Sequence, residues 1–227
     1  MPIKSLNLSF MKTIYLFALS ITLSLFSNAQ TGTLKYAISI ETSDPEMQML
    51  KAMLMNSQME IYYSPTHTAM LMRLGTMSMT KTISDLKSKK TLTIVESPMG
   101  NYFANSTIDE NVVEEPASDL RVTLVNETKK IAGLDCKKAL LFDKEGNEYT
   151  IWYVPQLNFP ILSNFDIGKN SKIPGAMAEF EMIQEGFIMR FTLMSYSDKV
   201  DNPNAFDMTA PDGYTEMSAE VLKQFGL

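Results

Sequence analysis

Apolar and polar residues alternate along most of the chain after residue 30, a period of two that is typical of β-strands that bury one face. Apolar side chains occupy every second position in several early runs: Leu34, Tyr36, Ile38 and Ile40; Met59, Ile61 and Tyr63; Met70, Met72 and Leu74; Met77 and Met79. Further strands are predicted at residues 91–96, 100–105, 121–127, 134–142, 147–154, 177–184 and 187–196. The polar residues among the methionines, Thr76, Ser78 and Thr80, are expected to face water. The pattern therefore predicts a largely antiparallel sheet.

Two segments follow a helical period instead. Between residues 43 and 56 apolar residues recur at intervals of three and four, with Asp44 placed to cap a helix and Pro45 to begin it. The apolar positions of this helix are Met47, Leu50, Met53 and Leu54. A second, short helix is predicted at residues 219–225, after a cap at Ser218. Most of the predicted elements are therefore strands, and the helix predicted between residues 43 and 56 is amphipathic.

A sheet of roughly eight or more antiparallel strands in fewer than about 200 residues must curl, and an amphipathic helix can cover its concave side. The predicted fold class is therefore mainly β (α+β), a curved antiparallel sheet or incomplete barrel wrapped around one amphipathic helix. A short C-terminal helix completes this architecture. No repeat or linker divides the chain, so a single domain is expected.

The beginning of the chain has the features of a secretory signal peptide. Lys12 precedes an apolar run at residues 14–26 that is too short to span a bilayer, and small side chains follow it up to Ala29. We expect cleavage near Ala29, which leaves a signal peptide at residues 1–29 and a single half-barrel domain at residues 30–227. The protein is therefore expected to be exported, to the periplasm or out of the cell. No later stretch is apolar enough to predict a transmembrane segment.

Charge argues against several classes of partner. The sequence holds 20 Lys and Arg residues and 26 Asp and Glu residues, a formal net charge of −6. The signal peptide contains Lys4 and Lys12 and no acidic residue, so the exported chain is more acidic still. Nucleic acids and anionic headgroups need clustered cations, so neither is expected as a partner. The single Cys136 shares its parity with apolar neighbours and is expected to be a small buried hydrophobe without a disulfide.

Methionine is abundant, with 18 in the chain, of which only Met1 and Met11 lie in the signal peptide. Many occur as pairs two positions apart: Met47 and Met49, Met53 and Met55, Met70 and Met72, Met77 and Met79. Flexible, polarizable thioethers suit a curved core, and they also suit an apolar surface that adapts to varied ligands. They are soft ligands for Cu(I) as well. A hairpin turning at Gly75 is expected to bring four of them to one face: Met70, Met72, Met77 and Met79.

The sequence offers no catalytic constellation. His67, the one histidine, lies in a Pro-Thr-His-Thr stretch and is expected to be an exposed turn residue. No Gly-x-Ser-x-Gly, His-Glu-x-x-His, Gly-rich phosphate loop or paired cysteine occurs. Trp152 alternates on a predicted strand and is expected in the core. We therefore expect a protein that is not an enzyme, with no catalytic residue and no cofactor.

Short stretches in order along the chain carry a resemblance to known families. KIAGLDCKKA at residues 130–139, IWY at residues 151–153 and IPGAM at residues 173–177 resemble exported Gram-negative families of unknown function that include the GLPGLI family. The last of these departs from that family's name motif, which has Leu-Ile in place of Ala-Met, so a neighbouring, Met-rich family is the better match. The stretch at residues 206–214 resembles the end of a wider group whose half-barrel fold is shared with the periplasmic lipoprotein carriers. The resemblance implies a curved, lipoprotein-carrier-like sheet with a helix in its concavity, and no assigned activity.

The lipoprotein carriers bind acyl chains in their cavity, and the methionine pattern suits such a ligand. The resulting hypothesis is a non-enzymatic, exported envelope protein that binds an acyl chain, a lipid or a lipoprotein segment in a Met-rich apolar cavity. The expected lining is Met47, Leu50, Met53, Leu54, Met70, Met72, Met77 and Met79. Two alternatives stay open: a structural or partner-binding envelope module with no cavity, and a soft-metal site for Cu(I) at the four hairpin methionines. The sequence leaves the oligomeric state open.

Overall fold

The computed structural model describes residues 31–45, 48–108, 121–142, 146–157, 173–184 and 187–224. The predicted signal peptide at residues 1–29 lies outside these ranges. The strands are β1 (Gly32–Glu41), β2 (Ser57–Tyr63), β3 (His67–Leu74), β4 (Ser78–Asp85), β5 (Lys90–Ser97), β6 (Gly100–Thr107), β7 (Arg121–Ile131), β8 (Leu134–Phe142), β9 (Glu148–Val154), β10 (Ala176–Gln184), β11 (Phe187–Ser197) and β12 (Thr215–Glu216). The helices are α1 (Gln48–Met53) and α2 (Ala219–Gln224), with a 3₁₀ turn at Pro155–Leu157. Within the described ranges, no helix has the length and apolar character needed to cross a membrane.

These strands form one 12-stranded sheet, in the order β12-β6-β5-β4-β3-β2-β1-β11-β10-β9-β8-β7. Neighbouring strands are antiparallel except β12, which pairs with β6 in parallel. The sheet is strongly curved, because Cα atoms of β7 and β11 come within 8 Å of each other although β8, β9 and β10 lie between them in the order. In a flat sheet, four strand spacings would hold them about 19 Å apart. The predicted fold class, mainly β with a curved antiparallel sheet and few helices, is confirmed.

The two faces of β1–β6 enter different cores. We call the face that carries Tyr36, Met59 and Met70 the inner face, and its apolar residues on β1–β3 pack with side chains of β8–β11 in the main core. The opposite face, which we call the outer face, carries Ile83 and packs against the segment at residues 200–214. Each face is therefore covered over part of its area, and strands in this half of the sheet bury residues of both parities.

Helix α2 begins where the sequence predicts. The Ser218 Oγ accepts a hydrogen bond from the backbone N–H of Val221 at 3.3 Å, which is the arrangement of an N-cap. Leu222 is 2% exposed and packs against Val95 of β5 and Ala104 of β6. Because both partners point to the inner face, α2 lies on that face near the β6 end of the sheet.

Helix α1 is shorter than the helix predicted at residues 43–56, and its described side chains lie at the surface. Met49 is 76% exposed and Met53 is 40% exposed. The end of the helix is tied to the β3–β4 hairpin, where the N–H of Thr76 donates to the carbonyl of Met53 at 3.1 Å. Gly75, with φ 52°, permits this approach, because a Cβ there would lie 1.9 Å from the Met53 oxygen. The helix therefore docks by its end on a hairpin loop, and none of its described side chains joins the main core.

Cys136 lies in the core as predicted, Trp152 is only partly buried at its edge, and His67 differs from its prediction. Cys136 is fully buried, and this burial raises the pKa of its thiol. Trp152 packs against the main core, with the Nζ of Lys129 4.5 Å from its ring centroid. His67 begins β3 rather than occupying an exposed turn, and its ring stacks on Phe206 at a centroid distance of 5.5 Å. Because Phe206 lies far along the chain, no local pattern could have predicted this contact.

Candidate functional site

Met70 and Met72 of β3 continue the apolar wall of the main core along the inner face. Met70 lies opposite Ile61 of β2, and Met72 lies opposite Met59. Ile61 and Met59 are 4% and 5% exposed, whereas the two β3 methionines are only partly buried and pack against the same core. The wall therefore extends from a closed core to thioether groups that solvent partly reaches.

Met79 lies on the outer face, so the hairpin does not gather the four methionines. A three-residue loop that includes Met77 joins β3 to β4, and with this length Met79 pairs with Arg73 while Thr80 lies opposite Met72. Successive side chains of a strand point to opposite faces, so Met79 points away from Met72. The expectation that these methionines share one face is therefore wrong, because the loop length, and not their spacing in sequence, sets the register.

Met77 and Met79 line a separate groove on the outer side of the hairpin. The groove has a volume of ≈ 330 Å³ and lies between the β3–β4 loop and the β5–β6 turn. Arg73 and Glu96 also line it, on either side of Met79 in the strand register. Glu96 accepts a hydrogen bond from the Tyr214 hydroxyl at 2.5 Å, and this bond raises the pKa of the tyrosine. The groove therefore combines thioether and charged groups.

The remaining predicted lining residues belong to the region of α1. Met47 and the side chain of Leu50 lie outside the described part of the chain. Leu54, which follows the helix, is buried at 6% exposure, while Met53 is 40% exposed. The structure thus places Met53 beside the hairpin loop and apart from the β3 methionines on the inner face.

Beyond β3 the inner face is lined with hydroxyl groups, which the sequence reasoning missed. Thr80 lies opposite Met72, and Thr82 lies opposite Met70. The sequence predicted that Thr80 faces water, but it is partly buried on the methionine face, and Thr91 on the same face of β5 is only 2% exposed. The alternation of Ser and Thr with other residues along β4 is a signal that could have revealed this surface.

The inner face of β1–β6 carries no charged side chain among the residues that the structure describes. The Lys, Arg, Asp and Glu residues of these strands all have the parity of the outer face: Lys35, Glu41, Glu60, Arg73, Lys81, Asp85, Lys90 and Glu96. Burial raises the pKa of Tyr36 and Tyr63, which lie on the inner face, so both stay neutral. The Tyr36 hydroxyl donates to the Met177 carbonyl at 2.8 Å. This face can therefore offer apolar contact and neutral hydrogen bonds.

Comparison with known proteins gives distant structural likeness. No family model matches the sequence, and no curated protein matches it. A solved DUF1329 family protein from Desulfovibrio piger is similar with a TM-score of 0.35 and 11% identity, over 84% of this chain and 95% of that one. MucB is similar with a TM-score of 0.31 and 11% identity, over 85% of this chain and 62% of MucB. The LolA superfamily protein NE2245 from Nitrosomonas europaea gives a TM-score of 0.21 and 12% identity, over 81% of this chain and 91% of that one. At this level the likeness carries no information on a ligand or partner.

Proposed function

We propose that this chain is an exported, non-enzymatic envelope protein that binds an apolar ligand on the inner face of its sheet. The ligand would be an acyl chain, a lipid or a lipoprotein segment. The observation that carries the proposal is the position of Met70 and Met72 at the partly open margin of a closed apolar core. Export is part of the proposal, and its support is the signal-peptide pattern at residues 1–29.

Burial of hydrocarbon would supply the affinity. Each methylene group that moves from water into an apolar site contributes about 0.8 kcal/mol. Met70 and Met72 present unbranched, polarizable thioethers, which adjust to a flexible chain more easily than β-branched side chains do. Ile61 and Met59 beside them on β2 are already buried, so the ligand would lie along the β3 methionines rather than enter the core.

The region of α1 is proposed to extend this wall at the hairpin. The hydrogen bond between Thr76 and Met53 holds the end of the helix beside the loop that joins β3 to β4. Leu54 is buried directly after the helix. The proposed contributors from this region are Met47, Leu50, Met53 and Leu54, whereas Met79 lies on the outer face and takes no part in the proposed site.

The test is ligand uptake by the delipidated exported chain, residues 30–227. The protein would be stripped of lipid, mixed with acylglycerols or a fluorescent acyl probe, and examined by native mass spectrometry and fluorescence titration. We expect a ligand-bound mass and a saturable probe signal. Failure to bind any acyl ligand would refute the proposal and favour an envelope module with no cavity.

Matched glutamine variants locate the site. Met70→Gln and Met72→Gln keep side-chain length but place a polar amide on the inner face, so each should weaken probe binding by about tenfold. Met79→Gln makes the same chemical change on the outer face and should leave binding unchanged. Equal effects of all three substitutions would contradict an inner-face site.

A further inference from the structure

The strand register places hydroxyl groups directly beside the inner-face methionines. Met70 lies opposite Thr82, which in turn lies opposite Thr93, and Met72 lies opposite Thr80. Neighbouring strands are about 4.8 Å apart, so the step from Met70 across Thr82 to Thr93 covers about 10 Å. The inner face therefore changes from thioether to hydroxyl within the length of a small polar headgroup.

We call Thr80, Thr82, Ser84, Thr91 and Thr93 the hydroxyl ladder. The Thr82 and Thr93 hydroxyl oxygens are 3.5 Å apart, and those of Ser84 and Thr91 are 3.1 Å apart. A hydroxyl has one donor and two acceptor sites, so a bond between two hydroxyls uses one donor and one acceptor of the pair. The ladder therefore has the capacity both to donate to a ligand and to accept from it.

Serine and threonine are common on sheet faces that simply meet water, and two observations separate the ladder from that case. Thr91 is 2% exposed, and Thr68, in the same row on β3, is 5% exposed. The adjoining Met70 and Met72 pack against the main core. The row that joins Thr68, Ser84 and Thr91 is therefore shielded from water, and hydrogen bonds there are stronger than in open water. Thr80, Thr82 and Thr93 stay partly exposed beside the methionines.

The positions of the charged side chains in β1–β6 indicate which kind of headgroup the inner face would bind. Every Lys, Arg, Asp and Glu that the structure describes in β1–β6 has the parity of the outer face. A carboxylate or phosphate above the ladder would therefore lose water and meet no cation from these strands. Taking an unpaired anion out of water is far costlier than burying a hydroxyl, ester or amide that regains its hydrogen bonds.

We propose that the inner face binds an uncharged amphiphile, with its hydrocarbon chain over Met70 and Met72 and its neutral polar head on the hydroxyl ladder. The head would carry hydroxyl, ester or amide groups, as in a monoacylglycerol. This inference rests on the proposed function, because it names the ligand class of the same site.

Two ligands of equal chain length test the headgroup: the glycerol monoester of dodecanoic acid, and dodecanoate at a pH where the acid is ionised. Titration of the wild-type exported chain should show the monoester binding about tenfold tighter than dodecanoate or better. Equal affinities, or a preference for dodecanoate, would overturn this inference and leave the proposed function standing. Binding of neither ligand would refute both.

Valine substitutions test the ladder itself. Thr82→Val and Thr93→Val each replace a hydroxyl with a methyl group and keep the β-branched shape. Each should weaken monoester binding by about fivefold, the effect of one lost hydrogen bond, and leave binding of the hydrocarbon probe diphenylhexatriene unchanged. Thr123→Val, on an exposed position of β7, is the matched control and should change neither.

Unchanged monoester affinity in both ladder variants, with circular dichroism and urea unfolding like those of wild type, would overturn the role of the ladder. The comparison of the glycerol monoester with dodecanoate uses only the wild-type chain. It therefore tests the preference for an uncharged headgroup whether or not the variants fold.

Discussion

Met72 and Thr80 lie directly opposite each other on β3 and β4, and this pair marks the boundary between the two halves of the inner face. On the side of Met72, Met59 and Tyr36 follow in register and lead into the closed core. On the other side lie Thr80 and then Val95, which packs against Leu222 of α2, while the hydroxyl ladder runs from Thr80 along β4 to Thr82 and across to Thr93. Antiparallel partners share a face, so this one pair joins an apolar surface to a hydrogen-bonding one. The orientation of an amphiphile on this face follows from that boundary.

The exposed methionines should oxidise before the buried ones. Among the described residues, the exposed large hydrophobic side chains other than Leu124 are all methionine: Met49, Met53, Met55, Met99, Met182 and Met194. Peroxide converts a thioether to a sulfoxide only where it reaches the sulfur. We expect Met49 and Met99, 76% and 67% exposed, to react at least about tenfold faster than Met59, which is 5% exposed. Peptide mass spectrometry over a peroxide time course measures these rates, and equal rates for Met59 and Met99 would contradict the burial of the main core.

Gly75→Ala should destabilise the protein more than Gly133→Ala. Both glycines have positive φ, 52° and 78°, so alanine adds a backbone penalty at each position. At Gly75 the new Cβ would also lie 1.9 Å from the Met53 oxygen, whereas at Gly133 it would meet no described atom within 4 Å. We expect the free energy of unfolding in urea to fall by about 1 kcal/mol for Gly133→Ala and by about 3 kcal/mol for Gly75→Ala. Equal losses would show that α1 does not dock on the hairpin loop.

The ion pair between Lys35 and Asp201 should make stability depend on pH at the acidic end. The Lys35 Nζ lies 2.7 Å from the Asp201 carboxylate, and its hydrogen bond and charge hold the pKa of that carboxyl below its ordinary value of 3.8. A carboxyl whose pKa is lower in the folded state stabilises that state above the unfolded pKa, and this contribution is lost as the pH falls through the folded pKa.

Asp201→Asn should therefore lower the free energy of unfolding at neutral pH and approach wild type as the pH falls below 3.8. The two side chains are 42% and 41% exposed, so the difference at neutral pH should stay below about 1 kcal/mol. Urea denaturation of both proteins across this pH range measures the effect. A wild-type advantage that does not shrink in acid would contradict the assignment.

Local signals predicted much of the fold. The cap at Ser218 and the start of α2 depend on neighbouring residues, and both are confirmed. Alternation likewise placed Met70 and Met72 in one strand with the same parity. These features need no knowledge of distant parts of the chain.

Features that depend on register or on distant segments could not be predicted in the same way. The face of Met79 follows from the length of the hairpin loop, which alternation alone does not fix. The contact between His67 and Phe206 joins residues far apart in sequence. The alternation of Ser and Thr along β4 is visible in the sequence, but the pairing of these hydroxyls with those of β5 appears only when the two strands are aligned.

The most direct test of the inner-face site is whether a bound ligand shields its methionines from peroxide. With the exported chain saturated by the glycerol monoester, as judged by native mass spectrometry, oxidation of Met70 and Met72 should slow by about fivefold or more. Met79 on the outer face and the exposed Met99 should react at their ligand-free rates. Unchanged rates at Met70 and Met72, or equal slowing at Met79, would contradict ligand binding on the inner face.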